Sequence, residues 1–561
     1  MNAAARLREL LPPRSDWEAV KRAPLGDLVA GSTVALVALP LALAFGVSSG
    51  LGAEAGLVTA IVAGAVAAIF GGSNLQVSGP TGAMAVVVVP VAQQYGSRGV
   101  LMVGAMAGLV LVALAFAKVG RYARYLPLPV VEGFTAGIAI VIALQQFPAA
   151  LGASSSPGEK VWQNAFHAVR DFVTHPAAAP LCVALAVAAI ILGASRRGPR
   201  VPVSLLVVAA ATLLTHAASI DLTTLGHLPR TLPGPSLSFV HPGAVERLFP
   251  AALAVAALAA LESLLSASVA DGMTVDERHD PNRELFGQGL ANLATSMFGG
   301  VPATGAIART AVNVRAGATS KLASLTHAVV LGAVVFVAAP LVADIPVAAL
   351  AGVLFATTVR MIQAASLLPV IRATRADAAV LLLTLAVTVV FNLITAIAVG
   401  VAVAIVLALR AVARSVRMDE TPLDAGDHSE EERALLAEHI VAYRVDGPLF
   451  FAAAQRFLFR LTETADVKVV ILRMSRVTAL DATGAHVLGE AIKHLERRGI
   501  TVLLSGIQPG HQGVIAALGI AAHLRRDGLL FASTPAAIAH ARAIVHEDTT
   551  AGKPLAAFAT P

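Results

Sequence analysis

The chain has one cysteine, Cys182, in 561 residues, which excludes an internal disulfide framework. No CxxC pair, no Cys/His cluster and no HExxH spacing occurs, so the sequence offers no metal site and no bound cofactor is expected. No nucleophile stands beside a base in a usable pattern, and the chain is not read as an enzyme. Charge is equally thin: 14% of residues are Asp, Glu, Lys or Arg, against roughly 25% in a soluble domain. That shortage excludes an ordinary water-soluble globule. Residues 1–22 are basic but lack the apolar stretch of a signal peptide, so 1–26 is read as a cytoplasmic tail.

What is abundant is apolar. Hydrophobic residues make up 57% of the chain, and the mean hydropathy is +0.76. Runs repeatedly reach the ~17–25 residues that cross a bilayer. Seven are placed at 27–45, 55–70, 80–93, 99–117, 129–150, 178–194 and 201–216, with external loops at 152–176 and 217–248. Seven more are placed at 249–270, 285–298, 304–314, 322–340, 346–367 and in 380–409. The last stretch would be about 45 Å of helix, too long for one straightforward span, so it is divided near Asn392. The formal charge of +6 suggests a nucleic-acid partner only until the basic residues are located. Lys118, Arg121, Arg196, Arg372 and Arg410 flank the spans on one side, which fits both termini lying in the cytoplasm and no nucleic acid. Seven spans per half give opposite orientations, so 27–216 and 249–414 are read as inverted repeats inside a membrane domain of 27–418.

From about Asp419 the composition turns polar. Residues 419–438 read as a linker and 439–546 as a small α/β domain, with strands at 440–445, 467–474 and 500–505. Helices are expected at 450–462, 483–497 and 535–546, followed by a disordered tail at 547–561.

One motif occurs twice. Phe70-Gly71-Gly72 is followed by Thr81-Gly82-Ala83-Met84-Ala85, and Phe298-Gly299-Gly300 by Thr304-Gly305-Ala306-Ile307-Ala308. Broken backbone at membrane depth is tolerated only where protein or a cavity satisfies its polar groups, and a matched pair of breaks points to a transporter's central site. A half-helix starting at each break, the first from Pro80, presents free N–H groups and about half a positive charge. Ser78, Gly79, Thr81, Gly82 and Ala83 would form one wall of an anion cradle, and Thr304, Gly305 and Ala306 the other. Close helix packing is the plainer use of such glycines, but it does not account for the matched pair.

Arg309 lies five residues past Thr304, and a charge at that depth faces a cavity or a partner. Its use is either positive potential at the anion or an ion pair with Glu262. Glu262 is the acidic residue within 249–270, with Ser266 one turn on along the same face. Such a carboxyl can carry a coupling proton, hold Na⁺ with neighbouring hydroxyls, or simply pair with Arg309.

These residues resemble the SulP, or sulfate-permease, family of anion transporters. The likeness rests on 31–45 with Pro40, on Gln76-Val77-Ser78-Gly79-Pro80-Thr81-Gly82, on Glu262-Ser263-Leu264-Leu265 and on 304–317. It implies an α-helical membrane protein with fourteen spans in two inverted repeats of seven, a core domain moving against a gate domain, and a homodimer in the inner membrane. It also implies a substrate site at Ser78 to Ala83, Thr304 to Ala306 and Arg309, with Phe45 as the aromatic of the first span. The C-terminal part looks like the family's cytoplasmic STAS domain. In the loop Asp481-Ala482-Thr483-Gly484, Thr483 stands where related regulators are phosphorylated; a plain N-capping turn is the alternative.

The stretches 306–320 and 447–454 resemble the branch that imports C4-dicarboxylates, so proton-coupled uptake of succinate, fumarate or aspartate is the first expectation. Sulfate or bicarbonate transport coupled to H⁺ or Na⁺, an uncoupled exchanger or channel, and an anion sensor signalling to a cytoplasmic partner through STAS remain open.

Overall fold

The computed structural model describes residues 3–21, 23–121, 127–153, 160–195, 202–226, 231–274, 278–362, 364–391, 393–415, 417–419, 439–449, 467–480, 482–517, 524 and 528–550. It falls into two units, Met1–Ala402 and Val403–Pro561.

The apolar runs of the first unit fold as helices, because backbone in hydrocarbon must satisfy its own N–H and C=O groups. Two short helices, α1 (Ala3–Leu10) and α2 (Arg14–Val20), precede α3 (Pro24–Ser48) and α4 (Ala53–Phe70). A two-residue strand, β1 (Ser78–Gly79), then leads to α5 (Gly82–Phe116), whose helical geometry fails at Gly96 with φ 66°. Next come α6 (Leu128–Gln145), α7 (Phe147–Leu151), α8 (Val161–Thr174), α9 (Ala178–Ser195) and α10 (Val203–Ala217). The second half opens with α11 (Val245–Met273) and α12 (Pro281–Met297), then a matching strand, β2 (Thr304–Gly305), and α13 (Ile307–Arg315). It continues through α14 (Lys321–Ala343), α15 (Val347–Met361), α16 (Ala364–Ala373), α17 (Arg375–Val390) and α18 (Leu393–Ser415).

Divided at Gly96, α5 supplies two of seven expected segments in the first half, beside α3, α4, α6, α9 and α10; α11 to α15, α17 and α18 supply seven in the second. Among the described residues, α3, α4, α5, 128–151 and 242–273 are each long and apolar enough to cross a bilayer alone. Of the remaining segments, α10, α12, α13, α15 and α17 are shorter than α4, as half-helices and broken spans are. Packing sorts them into two groups. Helices α3, α4, α5, α11, α12, α13 and α14 pack on one another, while α6 packs on α17 and α15, and α15 on α9. The first group holds both chain breaks.

Several expectations shift. The residue 1–26 tail is largely helical. The 152–176 loop contains α8, where Ala165 and Ala168 face protein and Trp162, Phe166, Val169 and Val173 form an exposed apolar stripe. In 217–248, Thr224 bridges to Pro346, and helix begins at Pro242 rather than at 249. The tenth segment begins as strand, and its helix starts only at Ile307.

The second unit is a five-stranded sheet in the order β3 (Arg417–Asp419), β4 (Ile440–Leu449), β5 (Val469–Leu480), β6 (Thr501–Ser505) and β7 (Leu530–Phe531). Only β3 runs antiparallel to its neighbour. Parallel strands need cover on both faces. One face packs Val470, Leu472 and Leu504 under Leu488, Ile492 and Leu495 of α19 (Ala482–Arg497), ahead of the short α20 (Pro509–Ala517). The other packs Val469, Ile471 and Leu503 under Ala537, Ile538 and Ala541 of α21 (Thr534–Thr550). The first linker residue, Asp419, therefore belongs to a strand, and the last helix runs into the expected tail. Residues 420–438, the 450–462 helix and 551–561 lie outside the described residues.

The N-terminal helices clamp the first break. Asp16 of α2 is buried and meets Arg283 at 3.1 Å and Lys321 at 3.0 Å. Lys321 Nζ in turn donates to the carbonyls of Gly71 (2.8 Å) and Ile69 (3.2 Å), which α4 leaves unpaired at its end. Removing one member of a buried ion cluster costs about 3–5 kcal/mol. Asp16→Ala is therefore expected to lower the thermal midpoint of the detergent-purified chain clearly; an unchanged midpoint would show the clamp to be idle.

Candidate functional site

The two breaks meet. Strands β1 and β2 pair antiparallel, with Ser78 opposite Gly305 and Gly79 opposite Thr304, and the Ala306 N–H reaches the Val77 carbonyl at 2.9 Å. Each strand opens directly onto a helix start. At α5 the cap is Thr81, whose Oγ1 accepts from Met84 N at 3.4 Å, and the helix begins at Gly82 rather than Pro80. The N–H groups of Gly82 and Ala83 have no intrahelical acceptor. At α13 the N-cap is Ala306, and no side chain caps it. Its first-turn N–H groups are likewise left over. Two electropositive helix starts thus adjoin one short ladder.

Helix α11 supports both sides of it. Thr81 Oγ1 donates to Glu262 Oε2 at 2.9 Å. The next residue, Ser263, shares a hydrogen bond with Thr304 Oγ1 (2.9 Å) and accepts the Gly305 N–H (3.1 Å). One turn on, Ser266 bonds Thr310 Oγ1 at 2.9 Å, and that oxygen also accepts Val77 N–H at 3.1 Å. Ser266 therefore holds the ladder in place, and its hydrogen bond goes to Thr310 instead of Glu262.

Arg309 is 2% exposed and inserts against Gly79. A Cβ at Gly79 would stand 2.5 Å from Arg309 Nη1, so only glycine lets the guanidinium lie on the strand. Nη2 donates to the Pro80 carbonyl at 2.8 Å, while Nη1 is buried and unpartnered among the described residues. Arg309 and Glu262 act on each other through charge without forming a direct salt bridge, so the pairing leaves Nη1 without a hydrogen-bond partner. An unsatisfied buried cationic N–H is expensive. Here it sits beside two helix starts, where an anion would satisfy all three.

Gly82 marks the approach to this cradle. A Cβ there would collide with Ile142 of α6 and touch the Phe45 ring at 3.1 Å. Phe45 and Ile142 cover the start of α5. All ten expected binding residues, Phe45, Ser78, Gly79, Thr81, Gly82, Ala83, Thr304, Gly305, Ala306 and Arg309, lie on α3, the two strands or the two helix starts. Thr483 falls in the first turn of α19, with its side chain and Asp481 outside the described residues.

A polar scaffold of α12 escaped the sequence reading. Glu284 is 1% exposed and accepts from Gly72 N (2.9 Å), Ser73 N (3.3 Å), Gln76 Nε2 (2.8 Å) and Gln288 Nε2 (2.9 Å). Gln288 also donates to Ser78 Oγ at 2.6 Å. Asn292 grips Ala303 twice, donating to its carbonyl (2.9 Å) and accepting its N–H (2.8 Å). Glu284, Gln288 and Asn292 recur every fourth residue, one face of a helix. That spacing was the signal. Ile142 gave none, as an ordinary residue in an apolar run, and Ser263 was marked only as part of Glu262-Ser263-Leu264-Leu265. Just before α12, His279 Nδ1 lies 2.7 Å from Asp271, and Asp280 caps the helix.

The geometry defines a class: a multi-pass helical membrane protein whose two helix breaks pair beside a buried arginine. The description Sulfate permease family matches residues 25–384, and STAS domain matches 434–536. The chain belongs to the sulfate permease family and is an anion transporter of that family carrying a STAS domain. It is 35% identical to the Bacillus subtilis protein named "Putative sulfate transporter YvdB", over 86% of this chain and 91% of that one. It is 31% identical to the bicarbonate transporter BicA of Picosynechococcus, over 83% and 86%. The structure of murine Slc26a9 in its inward-facing state aligns with a TM-score of 0.80 at 19% identity, covering 97% and 95%, a likeness of fold.

Glu284→Ala would strand four donors, at a cost of at least about 3 kcal/mol. A large fall in thermal midpoint is expected, and a smaller one for Glu284→Gln, which keeps an acceptor oxygen. Equal falls for the two variants would contradict this account.

Proposed function

We propose that the chain carries a small oxyanion across the cytoplasmic membrane by alternating access, with a proton on Glu262. The observation that carries this reading is the unpartnered Arg309 Nη1 between two helix starts that share a ladder. The Thr81–Glu262 hydrogen bond supplies a coupling route. While Glu262 is a carboxylate, Thr81 spends its O–H on it. Once Glu262 takes a proton, it donates to Thr81 Oγ1, and the Thr81 O–H is freed for the anion. The same proton removes a negative charge beside the site, so anion and proton favour each other's binding.

A compact anion suits this arrangement better than a C4-dicarboxylate. Its oxygens surround one centre and reach Arg309 and both helix starts together, whereas a four-carbon chain would carry its second carboxylate away from them. The relatives named for sulfate and bicarbonate support the same direction. The motif likeness at 306–320 keeps dicarboxylates in the test. The family resemblance also supports a homodimer, with both termini and the STAS domain on the cytoplasmic side.

Uptake into proteoliposomes under an imposed pH or Na⁺ gradient, with labelled sulfate, bicarbonate or succinate, is the test. Accumulation of one of the first two with inward proton movement is expected. Uptake that ignores the pH gradient would remove the proton from the mechanism. Glu262→Gln, whose amide also donates to Thr81, should bind anion and exchange it but fail to accumulate it. Arg309→Gln should weaken anion binding by roughly 10–100-fold, read from anion-induced thermal stabilisation, since a charged hydrogen bond is worth about 1.5–3 kcal/mol. Unchanged stabilisation would place the site elsewhere.

A further inference from the structure

A cavity of about 660 Å³ opens one helical turn beyond the Phe45–Ile142 cover. It lies where α3, α6 and α5 present Ser48, Ser49, Gln93, Gln145 and Gln146, with Asn164 of α8 at its edge. It sits at the C-terminal end of α3, about 36 Å from the start of that helix. The cover and the polar lining come from the same two helices: Phe45 is four residues before Ser49, and Ile142 four before Gln146. Among the described residues, none that lines the cavity carries a charge.

The lining is polar in one particular way. Gln146 Nε2 donates to Ser48 Oγ at 3.2 Å, joining α6 to α3 across the cavity wall. Gln145 is different: both its Oε1 and its Nε2 are buried and unpartnered among the described residues. A buried amide without partners costs free energy that a ligand can return. Turned into the cavity that the residue lines, its N–H₂ group would offer two donors to an anion. Neutral donors hold an anion more weakly than a guanidinium does. Passage through a membrane needs sites that bind well enough to admit an ion and weakly enough to release it.

We propose that this cavity is a separate antechamber, in which a small oxyanion docks on uncharged amide and hydroxyl donors, Gln145 foremost, before it passes Phe45 and Ile142. The inference rests on the anion-transport reading, yet its test does not require transport.

A reporter cysteine at a lining position without a donor reads occupancy directly. In a Cys182→Ser background, which removes the native thiol, Ala149→Cys is reacted with a charged, water-soluble thiol reagent in the full-length purified chain. Sulfate and bicarbonate are each added alone. At least a threefold slowing of modification by one of them is expected, and it should survive addition of Arg309→Gln. Adding Gln145→Leu should raise the half-protecting concentration at least tenfold. Should Arg309→Gln fail to fold, Gln145→Leu alone still decides. No slowing by either anion, slowing lost with Arg309→Gln, or slowing indifferent to Gln145→Leu would each overturn the proposal. Failure of the transport reading would appear as absent uptake with this protection intact.

Discussion

A helix that ends partway across a membrane leaves backbone N–H groups that only protein, a lined cavity or a ligand can satisfy. Everything in the first unit answers to that constraint. The two breaks satisfy part of it with each other, through a ladder of two residues per strand. Helix α11 takes up more with Ser263 and Ser266, and α12 takes up the rest of the approach loops with Glu284, Gln288 and Asn292. Left without a partner beside the ladder, among the described residues, are the two helix starts and one guanidinium nitrogen, together with acceptor oxygens of Gln76 and Gln288.

Two glutamates show how environment assigns roles. Glu284 faces backbone and amide N–H groups, which donate and can do nothing else, so its carboxylate is built into the scaffold. Glu262 faces a hydroxyl, which donates or accepts by turning one bond. The first arrangement has one stable sense; the second has two. Reversibility of a single hydrogen bond is the property that the proposed proton coupling draws on at Glu262. Cover by Phe45 and Ile142 supplies the other requirement, since a site shared between two sides of a membrane must be closed to at least one of them.

Much of this was readable beforehand, and for a physical reason. Span length, helix-breaking glycines and a lone charge in an apolar run are local signals, and each carries a penalty unless the chain provides for it. They located the breaks, Arg309 and Glu262. Long-range pairings left weaker traces. Ser266 shares a helix face with Glu262, but Thr310, distant in sequence, claims its hydroxyl. The first half-helix starts at Gly82 because Thr81 offers a capping oxygen that Pro80 lacks. Helix α8 hid because its polar residues occupy only one of its faces, and composition averages the two.

By itself, the sequence determined that the chain crosses a bilayer many times, breaks twice in matching places and ends in an α/β domain, because these follow from hydropathy and backbone chemistry along the chain. Tertiary structure decided which groups are spent and which are left free. Whether Arg309 pairs with Glu262 or lies against Gly79 depends on where helices separated by many residues come to rest. Only packing sets those distances, and it leaves Arg309 Nη1 without a hydrogen-bond partner among the described residues.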